Sequence, residues 1–129
     1  MNNRTKVWKI IFIVYLALLA CVSISAYLKL IPTEVNRIPH YDTIMHFLLL
    51  GFASFLSFKA TSGKKFLRII PLWPFIIAIM ASADEIIQIF FPARNFSYKD
   101  LVANLAGIFL FYLIAEFSKK RIKTQIKAY

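Results

Sequence analysis

Glu85 stands, with Asp84 beside it and Gln88 one helical turn further on, in a run from Leu72 to Phe91 that is otherwise as apolar as lipid. A carboxyl at such depth is costly. A central acid or base costs roughly 2.5–3.5 kcal/mol on insertion scales, so an intramembrane ionisable group needs a partner or a task. Two other stretches carry comparable groups: Asp42 and His46 open one apolar block, and Asp100 and Asn104 open another. Both are i,i+4 pairs and Glu85 with Gln88 is an i,i+3 pair, so each helix end presents two polar groups on one face. Glu85 and His46 are the candidate acid and base. Arg94, in the connector before Asp100, offers a guanidinium that bonds phosphate through two donors, and the helix N-terminus near Ser97 adds a positive dipole end. Asp42, Gln88, Asp100 and Asn104 complete the candidate binding set. Asp42, His46 and Glu85 also make a His–carboxylate set with Gln88 as a weak ligand, but no H-x-x-x-H or H-E-x-x-H pair is present, and neither metal nor cofactor is assigned.

Each group has a structural alternative. Asp42 can N-cap its helix, and Ser97-x-x-Asp100 resembles a capping box. His46, Gln88 and Asn104 can be helix-to-helix hydrogen bonds, worth about 0.6 kcal/mol each. Arg94 and Lys99 can meet lipid headgroups. Glu85 is the hardest to explain this way. Asp84, rotated about 100° from it around a helix, points elsewhere and calls for a partner on another helix or a basic residue.

The elements that must carry these residues are membrane helices. Of the 129 residues 60% are hydrophobic and only 17% charged, and the apolar content comes in long blocks. The spans are expected at about 7–28, 43–60, 67–91 and 101–117. The first has 22 residues, about 33 Å of helix against a hydrocarbon core of about 30 Å. It is too long for a signal-peptide core and reads as an uncleaved anchor. Lipid offers backbone groups no partners, so each span must be helical. Pro32 and Pro39 bracket the first connector, Thr61 to Gly63 mark the second, Pro92 ends the third span, and Pro74 is placed to bend it. The expected fold is thus an all-α integral membrane protein, one domain over 1–129, a bundle of four transmembrane helices.

Charge sets the expected orientation. Twelve of the sixteen basic residues lie before or at the start of the first span, around the second connector, or in the tail from Lys119 to Lys127. By the positive-inside bias both termini are cytoplasmic, in the cell's inner membrane. The tail reads as a mobile cationic segment that meets anionic phospholipid headgroups, and without an aromatic-interleaved basic platform the net charge of +10 does not signal nucleic acid. Lone Cys21, within the first span, is expected as a buried small hydrophobe. With this topology the polar pairs all fall in the extracytoplasmic half. His46, Glu85, Gln88 and Asn104 are expected inside one pocket, its floor about 10 Å below Pro92, and Asp42, Arg94 and Asp100 around its mouth.

The string Glu85-x-x-Gln88-x-Phe90-x-Pro92-x-Arg94-x-x-Ser97-x-x-Asp100-x-x-x-Asn104-x-x-Gly107, preceded by Asp42-x-x-x-His46-Phe47, resembles the signature of the VanZ-like family of small polytopic bacterial membrane proteins. The resemblance runs from about Asp42 to Gly107. Two positions depart from it: Thr43 stands where the family often has Lys, and Ala93 where it often has Gly. The first removes a possible ion-pair or phosphate contact, and the second makes the turn before Arg94 less free. The resemblance implies a cell-envelope protein. The name-giving member is associated with low-level resistance to the glycopeptide teicoplanin, many relatives have no such role, and no established reaction comes with the family.

Three functional classes follow. The first is a site that binds or modifies an extracytoplasmic envelope substrate, lipid-linked or phosphate-bearing, beside the surrounding membrane lipids. The second is a structural or partner-binding membrane subunit whose polar groups fix helix packing. The third is proton or ion translocation, weakened because ionisable groups do not continue through the cytoplasmic half except near Glu116.

Overall fold

A computed structural model describes residues 3–32, 39–66, 68–91 and 96–127 of the chain, with side chains described as far as Arg121. Helix α1 spans Asn3–Tyr27, α2 Tyr41–Ala60, α3 Leu72–Ile87 with a 3-10 turn Gln88–Phe90 continuing it, and α4 Tyr98–Lys127. All four are long and apolar enough to cross a membrane. Between α2 and α3, strands β1 (Lys65–Phe66) and β2 (Ile70–Pro71) form a short antiparallel hairpin.

Local chemistry explains the ends. After α1, Lys29 takes a left-handed conformation (φ 55°) while the Leu30 N–H bonds the Ser25 carbonyl and the Lys29 N–H that of Ala26. Ser62 (φ 55°) and Gly63 repeat the arrangement after α2. Both are Schellman stops that satisfy the last carbonyls of a helix. The third helix starts at Leu72, five residues later than the sequence suggested. Pro71 lacks the N–H a helix interior requires and sits at the N-cap, where that donor is not needed. Pro74 then falls in the first turn of α3, among the N–H positions that have no intrahelical partner anyway, rather than inside the span. Phe91 is already extended (φ −111°, ψ 118°), the conformation favoured before a proline; Pro92 itself lies outside the described residues. Helix α4 runs on to Lys127, so the basic tail from Lys119 is a helical extension rather than the mobile segment expected. Lysine and arginine are good helix formers, and no proline or glycine follows Gly107 to stop it.

The helices run alternately up and down. Thr5 near the start of α1 meets Ser62 beyond the end of α2, and Tyr27 at the end of α1 meets Asp84 late in α3. Helices α2 and α4 are therefore parallel, and they make the closest packing in the bundle. A Cβ on Gly107 would lie 2.2 Å from the Phe47 carbonyl oxygen, so only glycine admits this approach. Ser54 Oγ donates to the Ile108 carbonyl at 2.8 Å across the same seam. Small residues and short polar bonds of this kind drive helix association in lipid, where apolar surface gains little by being covered.

The inside and outside are sorted accordingly. Phe12, Ala53, Leu56, Ile77, Ala81 and Ile108 form the apolar core, while the largest fully buried side chains are Gln88, Glu85, Asn104, Ser54 and Ser57. Exposed apolar side chains such as Ile10, Ile13, Ile79 and Phe109 cover the outer faces. Cys21 is among the exposed residues, not buried as expected. It lies on the side of α1 turned away from the bundle, where an apolar thiol needs no cover from lipid.

Candidate functional site

The approach of α2 to α4 sets the centre of the site. His46 Nδ1 lies 3.1 Å from Asn104 Oδ1, and Asn104 Nδ2 donates to Glu85 Oε1 at 3.5 Å. The Glu85 carboxylate is also 3.7 Å from His46 Nδ1. Three helices thus contribute one residue each. The amide of Asn104 offers its N–H to the carboxylate and its carbonyl to the imidazole. A carbonyl only accepts, so this contact is a hydrogen bond in the tautomer that carries its proton on Nδ1, which in the neutral ring leaves the lone pair on Nε2. Nε2 faces Asp42 Oδ1 at 3.7 Å.

A second set of bonds surrounds the first. Tyr27 OH donates to Asp84 Oδ1 at 2.8 Å, and Gln88 Nε2 donates to Asp84 Oδ2 at 3.1 Å. Asp84 therefore finds its partner on another helix, as its direction on α3 required. Thr43 Oγ1 donates to Asp100 Oδ1 at 2.6 Å. Asp100 is buried, so it does not stand at the mouth as expected; the Thr43 hydroxyl holds it against α2. Its backbone N–H lies 3.4 Å from Ser97 Oγ, in the sense of the expected cap. Asp42 is exposed and does not cap α2. The N-cap is His40, left-handed at φ 56° and without a side-chain cap bond, and Asp42 sits within the first turn, where its charge still favours the helix dipole.

A cavity of about 310 Å³ opens on this cluster between α1, α2 and α3. Its walls are apolar, with Leu16, Leu19, Ala20, Leu50, Ile77 and Met80, and its polar end is made by Tyr41, Asp42, His46, Asp84 and Asn104. Glu85, only 1% exposed, is reached through Asn104. Of the expected site residues, His46, Glu85 and Asn104 come together in the interior, Gln88 is buried but bonds Asp84 rather than that trio, and Asp42 and Asp100 adjoin His46; Arg94 lies outside the described residues. One ligand atom each from Asp42, His46 and Asp100 falls within 4.8 Å of the others, so the structure gathers Asp100, rather than Glu85, with that pair.

Two participants were not among the site residues read from the sequence. Thr43 was visible only as a departure from the family pattern, and its hydroxyl turns out to orient Asp100. Tyr27 gave no local signal, since its meaning depends on where the end of α1 meets α3.

The opposite end of the bundle is basic. Lys65 Nζ donates to Glu116 Oε1 at 2.7 Å, Tyr112 OH bonds the other oxygen of Glu116, and Lys119 Nζ bonds the Ser62 carbonyl. The Glu116 carboxylate bonded to Lys65 pushes its ammonium above the usual lysine range.

A four-helix bundle with polar groups inside, apolar faces outside and a polar-ended cavity between three helices defines a small multi-pass membrane protein. A family model, VanZ/LLP1, matches residues 3–119, and the chain belongs to that family. The match takes in α1 as well as the motif region and ends at Lys119, where the basic extension begins. No curated protein and no solved structure matches the chain.

Proposed function

We propose that the protein binds a membrane amphiphile, a lipid-linked or phosphate-bearing cell-envelope molecule, with its polar head at His46 and its chain along the apolar cavity wall. The cavity carries this reading. It joins an apolar slot to a cluster of hydrogen-bonding and charged groups, which is the division of an amphiphile itself. His46 stands at the head end of the slot and contacts the head, Asn104 and Glu85 orient its ring, and Asp84 and Asp42 flank it. The concentration of basic residues at the other end, Lys59, Lys64, Lys65, Arg68 and Lys119, supports a site that faces out of the cell with both termini inside, by the positive-inside bias.

The test is lipid retention. Protein purified in mild detergent is exchanged into lipid-free detergent, and bound molecules are counted by native mass spectrometry. Wild type should retain an amphiphile. His46→Gln should lose the head contact, and Ala20→Trp should fill the slot from an exposed position that does not threaten the fold. Equal retention in all three proteins would defeat the reading.

A second reading is supported by one observation: the bonds Tyr27–Asp84, Thr43–Asp100, His46–Asn104 and Asn104–Glu85 each join two helices. On that reading the cluster fixes packing alone, and His46→Gln would lower stability without altering retention. Translocation finds less support, because α2 and α4 close against each other at Gly51, Ser54 and Gly107.

A further inference from the structure

We propose that Asp42, His46 and Asp100 form a binding site for a divalent first-row cation that accepts mixed nitrogen and oxygen ligands, Mn²⁺ or Zn²⁺. One ligand atom from each residue lies within 4.8 Å of the other two. Two ligands on one such ion lie at most about 4.2 Å apart, twice a bond of about 2.1 Å. Closing the set therefore takes a small movement, and the three residues differ in who can make it. Asp100 is held by the Thr43 hydroxyl at 2.6 Å and is buried. His46 is held by Asn104. Asp42, with 69% of its side chain exposed, is free to rotate onto an ion seated between the other two.

The second observation is the setting of His46, whose Nδ1 lies 3.1 Å from Asn104 Oδ1 and whose Nε2 lies 3.7 Å from Asp42 Oδ1. A metal-bound imidazole donates its second ring N–H to a fixed acceptor, which both aims the ring and strengthens the ligand. Here Asn104 Oδ1, itself oriented by Glu85, stands beside Nδ1 as such an acceptor for the tautomer protonated there. In that tautomer Nε2 offers its lone pair on the side where Asp42 lies, 3.7 Å away. That is also the side of the cavity, since Asp42 and His46 both line it. Imidazole with two carboxylates suits Zn²⁺ and Mn²⁺ better than all-oxygen cations, and the two carboxylate charges balance the charge of the ion. An ion in this place presents its open positions to the cavity, where it would bridge to an anionic head. That use of the site rests on the amphiphile reading above; the cation site itself does not.

The experiment uses the full chain in lipid-free detergent with the metal alone. Mn²⁺ is titrated and free ion followed by electron paramagnetic resonance, with Zn²⁺ added as competitor. Binding of one Mn²⁺ per chain is expected, displaced by Zn²⁺. Asp42→Asn, which alters an exposed residue and leaves the fold intact, should weaken it at least tenfold, and Thr43→Val, which frees Asp100, should weaken it by about tenfold. Glu116→Gln, at the other end of the bundle, should change nothing. Failure of both Mn²⁺ and Zn²⁺ to bind, or binding unaffected by Asp42→Asn, overturns the proposal. Amphiphile retention measured with a chelator present separates the two readings: retention without metal binding removes only the cation site, and metal binding without retention removes only the amphiphile.

Discussion

His46 Nδ1 and Asn104 Oδ1, 58 residues apart in the chain, meet at 3.1 Å where α2 and α4 run side by side. Asn104 is a go-between, so its loss strands two neighbours. Asn104→Leu keeps the volume but leaves His46 and the buried Glu85 without their amide bonds. An average interhelical bond in a membrane is worth about 0.6 kcal/mol, whereas stranding buried polar groups costs about 1–3 kcal/mol. The larger figure should win, and a denaturant titration in mixed micelles should show it; a loss of only a few tenths would mean the two neighbours find other partners.

Gly107→Ala tests the seam that makes this meeting possible. The added Cβ would press on the Phe47 carbonyl oxygen, at 2.2 Å, and backbone cannot yield as a side chain can. The helices must part, at a cost of about 1–3 kcal/mol for overpacking. Gly51→Ala is the matched comparison, because its Cβ meets the Phe111 ring at 2.6 Å and a ring can turn aside. Thermal unfolding should rank Gly107→Ala as the worse of the two.

Helix α1 leans on the bundle through two tyrosine hydroxyls, Tyr15 to the Leu49 carbonyl at 2.7 Å and Tyr27 to Asp84 at 2.8 Å. Phenylalanine at either place keeps the ring, including the edge contact of Tyr27 with Phe91 at 5.2 Å. Each single change should cost about 0.5–1.5 kcal/mol. The sites lie a dozen residues apart, so the double variant should equal the sum within about 0.5 kcal/mol. A clear departure from additivity would show that α1 docks as one cooperative unit.

Lys65 supplies the pH dependence. Its hydrogen bond to Glu116 raises the lysine above its ordinary 10.5 in the folded protein. A cation whose folded value is raised contributes stability that is fully present below the unfolded value and is lost as pH rises through the folded one. Wild type should therefore exceed Lys65→Gln in stability by a constant amount through neutral and mildly alkaline pH, and the gap should close above about pH 10.5. A gap that closed on acidification alone would assign the effect to Glu116 instead.

How much of this was legible beforehand differs from residue to residue. The four spans were, because lipid forces backbone bonds inward and leaves long apolar blocks as the only spanning solution. So was the meeting of His46, Glu85 and Asn104, since helix spacing and alternating crossings bring the ends of the second, third and fourth helices to one end of the bundle, whereas Gln88 turns to Asp84. The start of α3 was misplaced because hydropathy does not sense the missing N–H of Pro71. Hydropathy likewise gave no sign that α4 continues through a charged tail.

The pairing of these side chains was decided only by the tertiary structure. Periodicity tells which face a residue shares on its own helix, but a partner on another helix depends on rotation and distance between axes, and here both are set by a carbonyl oxygen resting where Gly107 lacks a side chain. That contact, and not any local pattern, brings Asn104 between His46 and Glu85, gives Asp100 to Thr43, and leaves Asp42 exposed beside them.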